Sequence, residues 1–246
     1  MNHSQTHSIE DPLRETYREG FVNNPSHYEF LLQKDVALLC IDMQYLDAAE
    51  GFGVFKEEPD DPKSKIPEES KRYYFDTLKT LVIPNMHILQ NCFRSHQLEV
   101  IHTRIQSLTR DGRDRSKGHK RLNLLAVPGS GEACFLEEVA PVGDEITINK
   151  TASGVFSSTN LHYVLRNIGI QSLYVCGVYT NECVETTVRD ACDLGYLVTM
   201  VEDSCTTVTE ELQNASIKTL KDRYARILRT EQVVEEIHQL VGNRHP

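Results

Sequence analysis

Three residues capable of covalent and proton-transfer chemistry each stand where an apolar run ends. Asp42 directly follows VALLCI (36–41), Lys150 follows EITIN (145–149), and Cys183 comes shortly after SLYVCGV (172–178). Continuous apolar runs of this kind fit strands buried on both faces, as parallel strands are. In open parallel sheets, ligands bind beyond the carboxyl ends of the strands. An acid, a base and a thiol from three separate strand ends can therefore converge at one edge of a sheet. Cys183 carries the most information: a thiolate is a nucleophile, and a helix N-terminus lowers a thiol's pKa. The preceding turn, GVYTNEC, can also point N–H groups at an oxyanion. Asp42 then reads as general base to the thiol and proton donor to a leaving nitrogen, with Lys150 holding both partners ionised. Taken singly, each residue has a plainer reading: a turn cap, a surface charge and an inert buried thiol. Cys40, Cys92, Cys176, Cys192 and Cys205 keep the plainer reading, because they fall inside strand-like runs or on helix faces.

The elements that must position these residues alternate strand with helix. LEVIHT (98–103), YLVTMV (196–201) and ARILR (225–229) share the apolar texture of the first three runs. Between them lie helical patterns. Pro84 suits the start of IPNMHILQNCFRSH, where a missing N–H costs nothing. Leu161, Val164, Leu165 and Ile168 recur at helical spacing and Gly169 follows as a stop; Val184, Val188, Ala191 and Leu194 share one face, followed by Gly195. Residues 209–222 and 231–241 read as two further helices. Such a βαβ series with right-handed crossovers predicts an α/β fold, a parallel sheet covered by helices on both faces. Residues 35–246 read as one domain, preceded by a polar, partly helical extension over 1–34. The Pro- and charge-rich segment 43–75 is long for a connection, which suggests a lid or a binding segment. The basic stretch RDGRDRSKGHKR (110–121) reads as a solvated loop or as a gate that attracts anions.

Composition narrows the function classes. The chain has 246 residues, 39% of them apolar, enough for one sizeable core. Its net charge of −10 argues against a nucleic-acid partner. No apolar run reaches the roughly 18 residues of a membrane span, and the N-terminus has no signal-peptide apolar region. The seven cysteines are odd in number and form no CxxC pair, which predicts free thiols, a reducing compartment and a cytoplasmic location.

The stretch CGVYTNECVETTVRDACDLGYLVTMVEDSC (176–205) resembles the signature of the isochorismatase-like cysteine hydrolases, G-V-x-T-x-x-C-V-x-x-T-x-R-D-A followed by a G-[YF] strand and an acidic turn. CIDMQ (40–44) is similar to the family's D-x-Q at the end of its first strand. INK (148–150) and the residues after it are similar to its lysine strand and fourth strand. The resemblance covers roughly 34–241 and implies a three-layer α/β/α fold with a six-stranded, mainly parallel sheet of order 3-2-1-4-5-6. It also implies a catalytic triad of Asp42, Lys150 and Cys183, a cis peptide before Tyr179, and an oxyanion hole formed by the backbone N–H groups of Tyr179 and Cys183. The implied reaction is attack of the Cys183 thiolate on a carbonyl, expulsion of an amine or ammonia protonated by Asp42, and hydrolysis of the thioester.

Within the family, a Cys at position 183 argues against the vinyl-ether-cleaving isochorismatases. Nicotinamidases hold a metal through a D-x-H motif after strand 2; IHTRIQSLTRDG lacks it, and His102, His119 and His162 show no ligand spacing. No metal and no cofactor are therefore expected. H-T-R after strand 2 and K-x-x-S-G-x-F after strand 3 look most like the carbamoyl and ureido amidohydrolases, which act on a small amide or ureide. Four residues are expected to face such a substrate: Arg104 on a carboxylate or carbonyl, Phe156 as an apolar wall, Tyr179 through its side chain, and Gln44 to orient Asp42 or a water. The resemblance also implies a homodimer or homotetramer. The competing readings are a nicotinamidase-like or isochorismatase-type hydrolase, a non-catalytic small-molecule-binding member of the family, and a redox role for Cys183.

Overall fold

The computed structural model describes residues 13–21, 23–56 and 66–241. The first twelve residues of the expected extension and residues 57–65 of the Pro-rich segment lie outside the described residues.

Six strands form: β1 Val36–Ile41, β2 Glu99–Ile105, β3 Ile146–Lys150, β4 Ser172–Val178, β5 Leu197–Thr206 and β6 Arg226–Leu228. They make one sheet in the order β3-β2-β1-β4-β5-β6, every pair parallel. The order agrees with the expectation. The two central strands, β1 and β4, are buried at every residue, which is why their sequences are unbroken apolar runs. β5 continues beyond its apolar run through Glu202–Thr206, where Ser204 Oγ lies 2.9 Å from Thr230 Oγ1 and Asp203 Oδ1 accepts from Thr230. A register shift between Val175 and Gly177 interrupts the β4–β5 pairing.

The helices are α1 Arg14–Phe21, α2 Ser26–Gln33, α3 Tyr45–Ala48, α4 Glu68–Thr77, α5 Ile83–Ser95, α6 Lys117–Arg121, α7 Val155–Ser158, α8 Leu161–Asn167, α9 Glu185–Asp193, α10 Glu210–Leu220 and α11 Thr230–Leu240. They flank the sheet in two groups. α5 packs on β1, β2 and β5 with α11 and α2 beside it, whereas α9 packs on β5 with α7 and α10 beside it. The described part of the N-terminal segment docks on this body. Leu31 is fully buried in the core, and Arg14 Nε lies 2.7 Å from Asp222 Oδ2. The long segment after β1 is also partly built into the core. Phe55 and Tyr74 stack at 5.2 Å between ring centroids, and Tyr74 meets Tyr179 at 5.2 Å. Among the described residues no helix is long and apolar enough to cross a membrane.

Candidate active site

Asp42, Lys150 and Cys183 come together at the carboxyl end of the sheet. Asp42 is the residue after β1 and takes a left-handed conformation (φ +54°), which a short polar side chain tolerates. Its backbone N–H donates to Thr103 O and its Oδ1 accepts from Thr103 Oγ1 at 2.8 Å, so β2 orients the carboxyl. Lys150 ends β3. Its Nζ lies 2.7 Å from Asp42 Oδ2 and 3.3 Å from Cys183 Sγ, and it donates to Ala152 O at 3.0 Å. Cys183 sits in a wide π-turn, Thr180–Val184, that opens into α9, rather than in a regular first helical turn. The Val178–Tyr179 peptide is cis.

Gly177 sets the approach of β4 to β1 at this end. It has φ +119°, and a Cβ there would lie 2.1 Å from Ile41 O, so only glycine lets the two backbones come this close beside Asp42.

The site is dry. Asp42 and Lys150 are fully buried and Cys183 is 3% exposed. Burial alone would push the Lys150 ammonium down, but the carboxylate of Asp42 and the neighbouring Cys183 more than offset it, and its pKa is raised. Burial acts the other way on Cys183. It raises the thiol's pKa well above the ordinary value, Lys150 opposes this, and Asp42 and Asp47 add to it. This runs against the expectation of a thiol made acidic by a helix terminus: loss of hydration and the nearby carboxyls outweigh the ammonium. These surroundings favour the neutral thiol of Cys183 over its thiolate.

Two further residues belong to the site that sequence reasoning passed over. Asp47, on α3, is 4% exposed; burial, then Asp42 and Glu182, raise its pKa well above the carboxylate range against the pull of Lys150. Its Oδ2 has no partner within the described residues. Its backbone carbonyl accepts both the Tyr74 and Tyr179 hydroxyls, at 2.8 and 2.9 Å. His119, on α6, comes from the basic stretch; most of its charged side chains stay exposed, as expected of a solvated loop, while His119 turns inward. Ser116 N–H donates to Thr151 O beside Lys150, and Ser116 Oγ accepts from His119 N–H. The imidazole is 4% exposed with Nδ1 unpartnered; burial, then Lys150, lowers its pKa to about 4, so the ring is neutral. Thr103 could have been found in the sequence. Two strand residues apart share a face, and Ile105 pairs with Lys150, so Thr103 faces the lysine side.

The same parity relocates Arg104. It registers with Asn149, on the face opposite Lys150, donates to Asn149 Oδ1 and Ala133 O, and lies over the Phe135 ring. Gln44 does not orient Asp42 through its side chain. It is fully buried, donates to Ile105 O and Glu132 O and accepts from Ile105 N–H, fastening the end of β2 to the loop before β3. Phe156 is half-buried and stacks on Tyr196 at 6.0 Å. The Tyr179 hydroxyl is spent on Asp47 O, and its ring packs on Tyr74.

Comparison with known proteins gives the family of the chain. A sequence profile of the isochorismatase domain matches residues 36–232. The chain is 30% identical over 161 residues to an uncharacterized isochorismatase family protein, YwoC, of Bacillus subtilis, covering 63% of this chain and 83% of that one. It is 38% identical over 80 residues to the ureidoacrylate amidohydrolase RutB of Agrobacterium fabrum, covering 32% of this chain and 35% of that one. A cysteine hydrolase from Pseudomonas syringae superimposes with a TM-score of 0.66 at 22% identity, over 84% of this chain and 94% of that one, a likeness of fold. With the parallel sheet, its strand order and the profile match spanning most of the chain, the protein belongs to the isochorismatase family of hydrolases.

Proposed function

We propose that the protein is a cysteine-dependent amidohydrolase that cleaves a C–N bond in a small amide, ureido or carbamoyl compound. The observation that carries the reading is the Lys150 ammonium, seated between Asp42 Oδ2 at 2.7 Å and Cys183 Sγ at 3.3 Å in a site closed to bulk water. The local similarity to a ureidoacrylate amidohydrolase supports the ureido branch.

Asp42 takes the Cys183 proton as the sulfur attacks the substrate carbonyl, and Lys150 stabilises the thiolate as it forms. Burial of the thiol favours proton transfer that accompanies attack. The oxyanion is received by the backbone N–H groups of Tyr179 and Cys183; such donors are worth roughly 3 kcal/mol each. Asp42 returns its proton to the leaving nitrogen, which departs as ammonia or amine. Water, deprotonated by Asp42, then hydrolyses the thioester, releases an acid and restores the thiol. The neutral imidazole of His119 and the protonated carboxyl of Asp47 offer hydrogen-bonding atoms to a neutral, polar amide head group.

The test is a panel of small amides, ureides and carbamoyl compounds scored by ammonia release, with Cys183→Ala as control. Turnover of at least one ureide or amide, abolished in Cys183→Ala, is expected. A panel without turnover, or turnover that survives the substitution, overturns the proposal.

A further inference from the structure

At the other end of the sheet, three metal-ligating side chains meet outside the site described above. Cys92 and His96 stand four residues apart on one face of α5 and its C-cap, and His238 faces them from the last turn of α11. One donor atom from each lies within 4.8 Å of the others. Cys92 Sγ approaches His96 Nδ1 to 4.0 Å, and the two imidazole centroids are 5.2 Å apart. We propose that Cys92, His96 and His238 form a binding site for a thiolate- and imidazole-preferring divalent cation of the zinc class, which fastens the last helix, α11, to α5.

Chemistry and geometry both fit. One thiolate and two imidazoles are ligands that zinc accepts in tetrahedral sites, with a fourth position left for water. Bond lengths of about 2.3 Å to sulfur and 2.0–2.1 Å to nitrogen set donor atoms roughly 3.5 Å apart. The donor atoms lie within 4.8 Å of one another and would have to approach by about an ångström to reach this spacing. Position favours a cation as well. The cluster lies where two helices end, and the unpaired carbonyls of a helix C-terminus carry negative partial charge. His96 Nδ1 lies 2.8 Å from Cys92 O and 3.1 Å from Ser95 Oγ; with the Nδ1 proton on the carbonyl, Nε2 is the nitrogen left with a lone pair for a cation. Lys34, which donates to His96 O at 2.9 Å, brings a positive charge close to the site; the bound thiolate offsets it. Cys92 is buried and His238 exposed, so the cation enters from the α11 side.

The experiment uses the full chain freed of metal, titrated with Co²⁺ for its thiolate charge-transfer absorption and with Zn²⁺ against a chromophoric chelator, with thermal melts alongside. One equivalent is expected to bind, with the absorption lost in Cys92→Ser and retained in Cys183→Ser and Cys134→Ser. His238→Ala, an exposed substitution that spares the core, is expected to weaken binding roughly tenfold or more and to remove the rise in Tm produced by Zn²⁺. Failure to bind one equivalent, or binding and stabilisation unchanged in His238→Ala, overturns the site.

Discussion

The Lys150 ammonium and the Asp42 carboxylate lie 2.7 Å apart, and neither side chain is exposed at all. A buried pair of this kind contributes little relative to apolar substitutes, but removing one partner strands the other charge at a cost of about 3–5 kcal/mol. Asp42→Ala and Lys150→Met are each expected to lose stability of that order in urea unfolding. The double variant Asp42→Asn/Lys150→Met should recover most of it while remaining inactive. Single variants as stable as the wild type would show that the charges are not paired in the folded protein.

Cysteine labelling should run against the order that a pre-formed thiolate would give. Burial, despite Lys150, holds Cys183 as a thiol, whereas Cys134 is exposed. With iodoacetamide at neutral pH and no ligand, peptide mapping should find Cys134 modified first and Cys183 slowly. Cys183 labelled ahead of Cys134 would mean that an ion pair already exists at rest.

Acid should destabilise the protein in a defined window. Burial, followed by Arg226, lowers His27 from its ordinary 6.5 to about 4; burial, followed by Lys150, does the same to His119. Between pH 6.5 and about 4 the unfolded chain binds protons that the folded chain refuses. Stability is therefore complete above pH 6.5 and falls as pH drops through this window, by at most about 3 kcal/mol for each residue. Unfolding free energies measured from pH 7 to 4.5 should show this slope, reduced in His27→Gln and in His119→Gln. A slope unchanged by both substitutions would rule out these two rings as its source.

Gly177→Ala should be among the most damaging small substitutions in the chain. The added methyl would meet the Ile41 backbone at 2.1 Å, in a conformation with φ +119°. Neither strand can yield without disturbing Asp42. A loss of roughly 4 kcal/mol or failure to fold is expected, read by circular dichroism and yield. Wild-type stability would show that β1 and β4 lie further apart than described.

Gln44→Leu should cost about 2–3 kcal/mol without resembling a catalytic lesion, because it leaves the Ile105 N–H and C=O and the Glu132 carbonyl unpaired in the interior. Where substrate turnover is measurable, apparent kcat should fall in proportion to the folded fraction with KM unchanged, so that activity per folded molecule persists. Loss of kcat in fully folded protein would instead return Gln44 to the chemistry.

By itself the sequence determined the alternation of buried strands and helices, the sheet order through its resemblance, and the three strand-end residues Asp42, Lys150 and Cys183. These are local signals: an unbroken apolar run means a strand covered on both faces, and the residue that ends it lies at the sheet's edge wherever the rest of the chain goes. The tertiary structure alone decided what those residues meet. Asp47 and His119 reach the site from segments read as a possible lid and as a solvated loop, because packing against Tyr74, Tyr179 and the end of β3 draws them inside, and no periodicity records that. Arg104 and Gln44 went the other way, one to the opposite face by strand parity and one to backbone partners distant in sequence. The raised pKa of Cys183 is likewise a tertiary property, since a thiol's pKa depends on the water excluded around it, and that burial exists only in the folded protein.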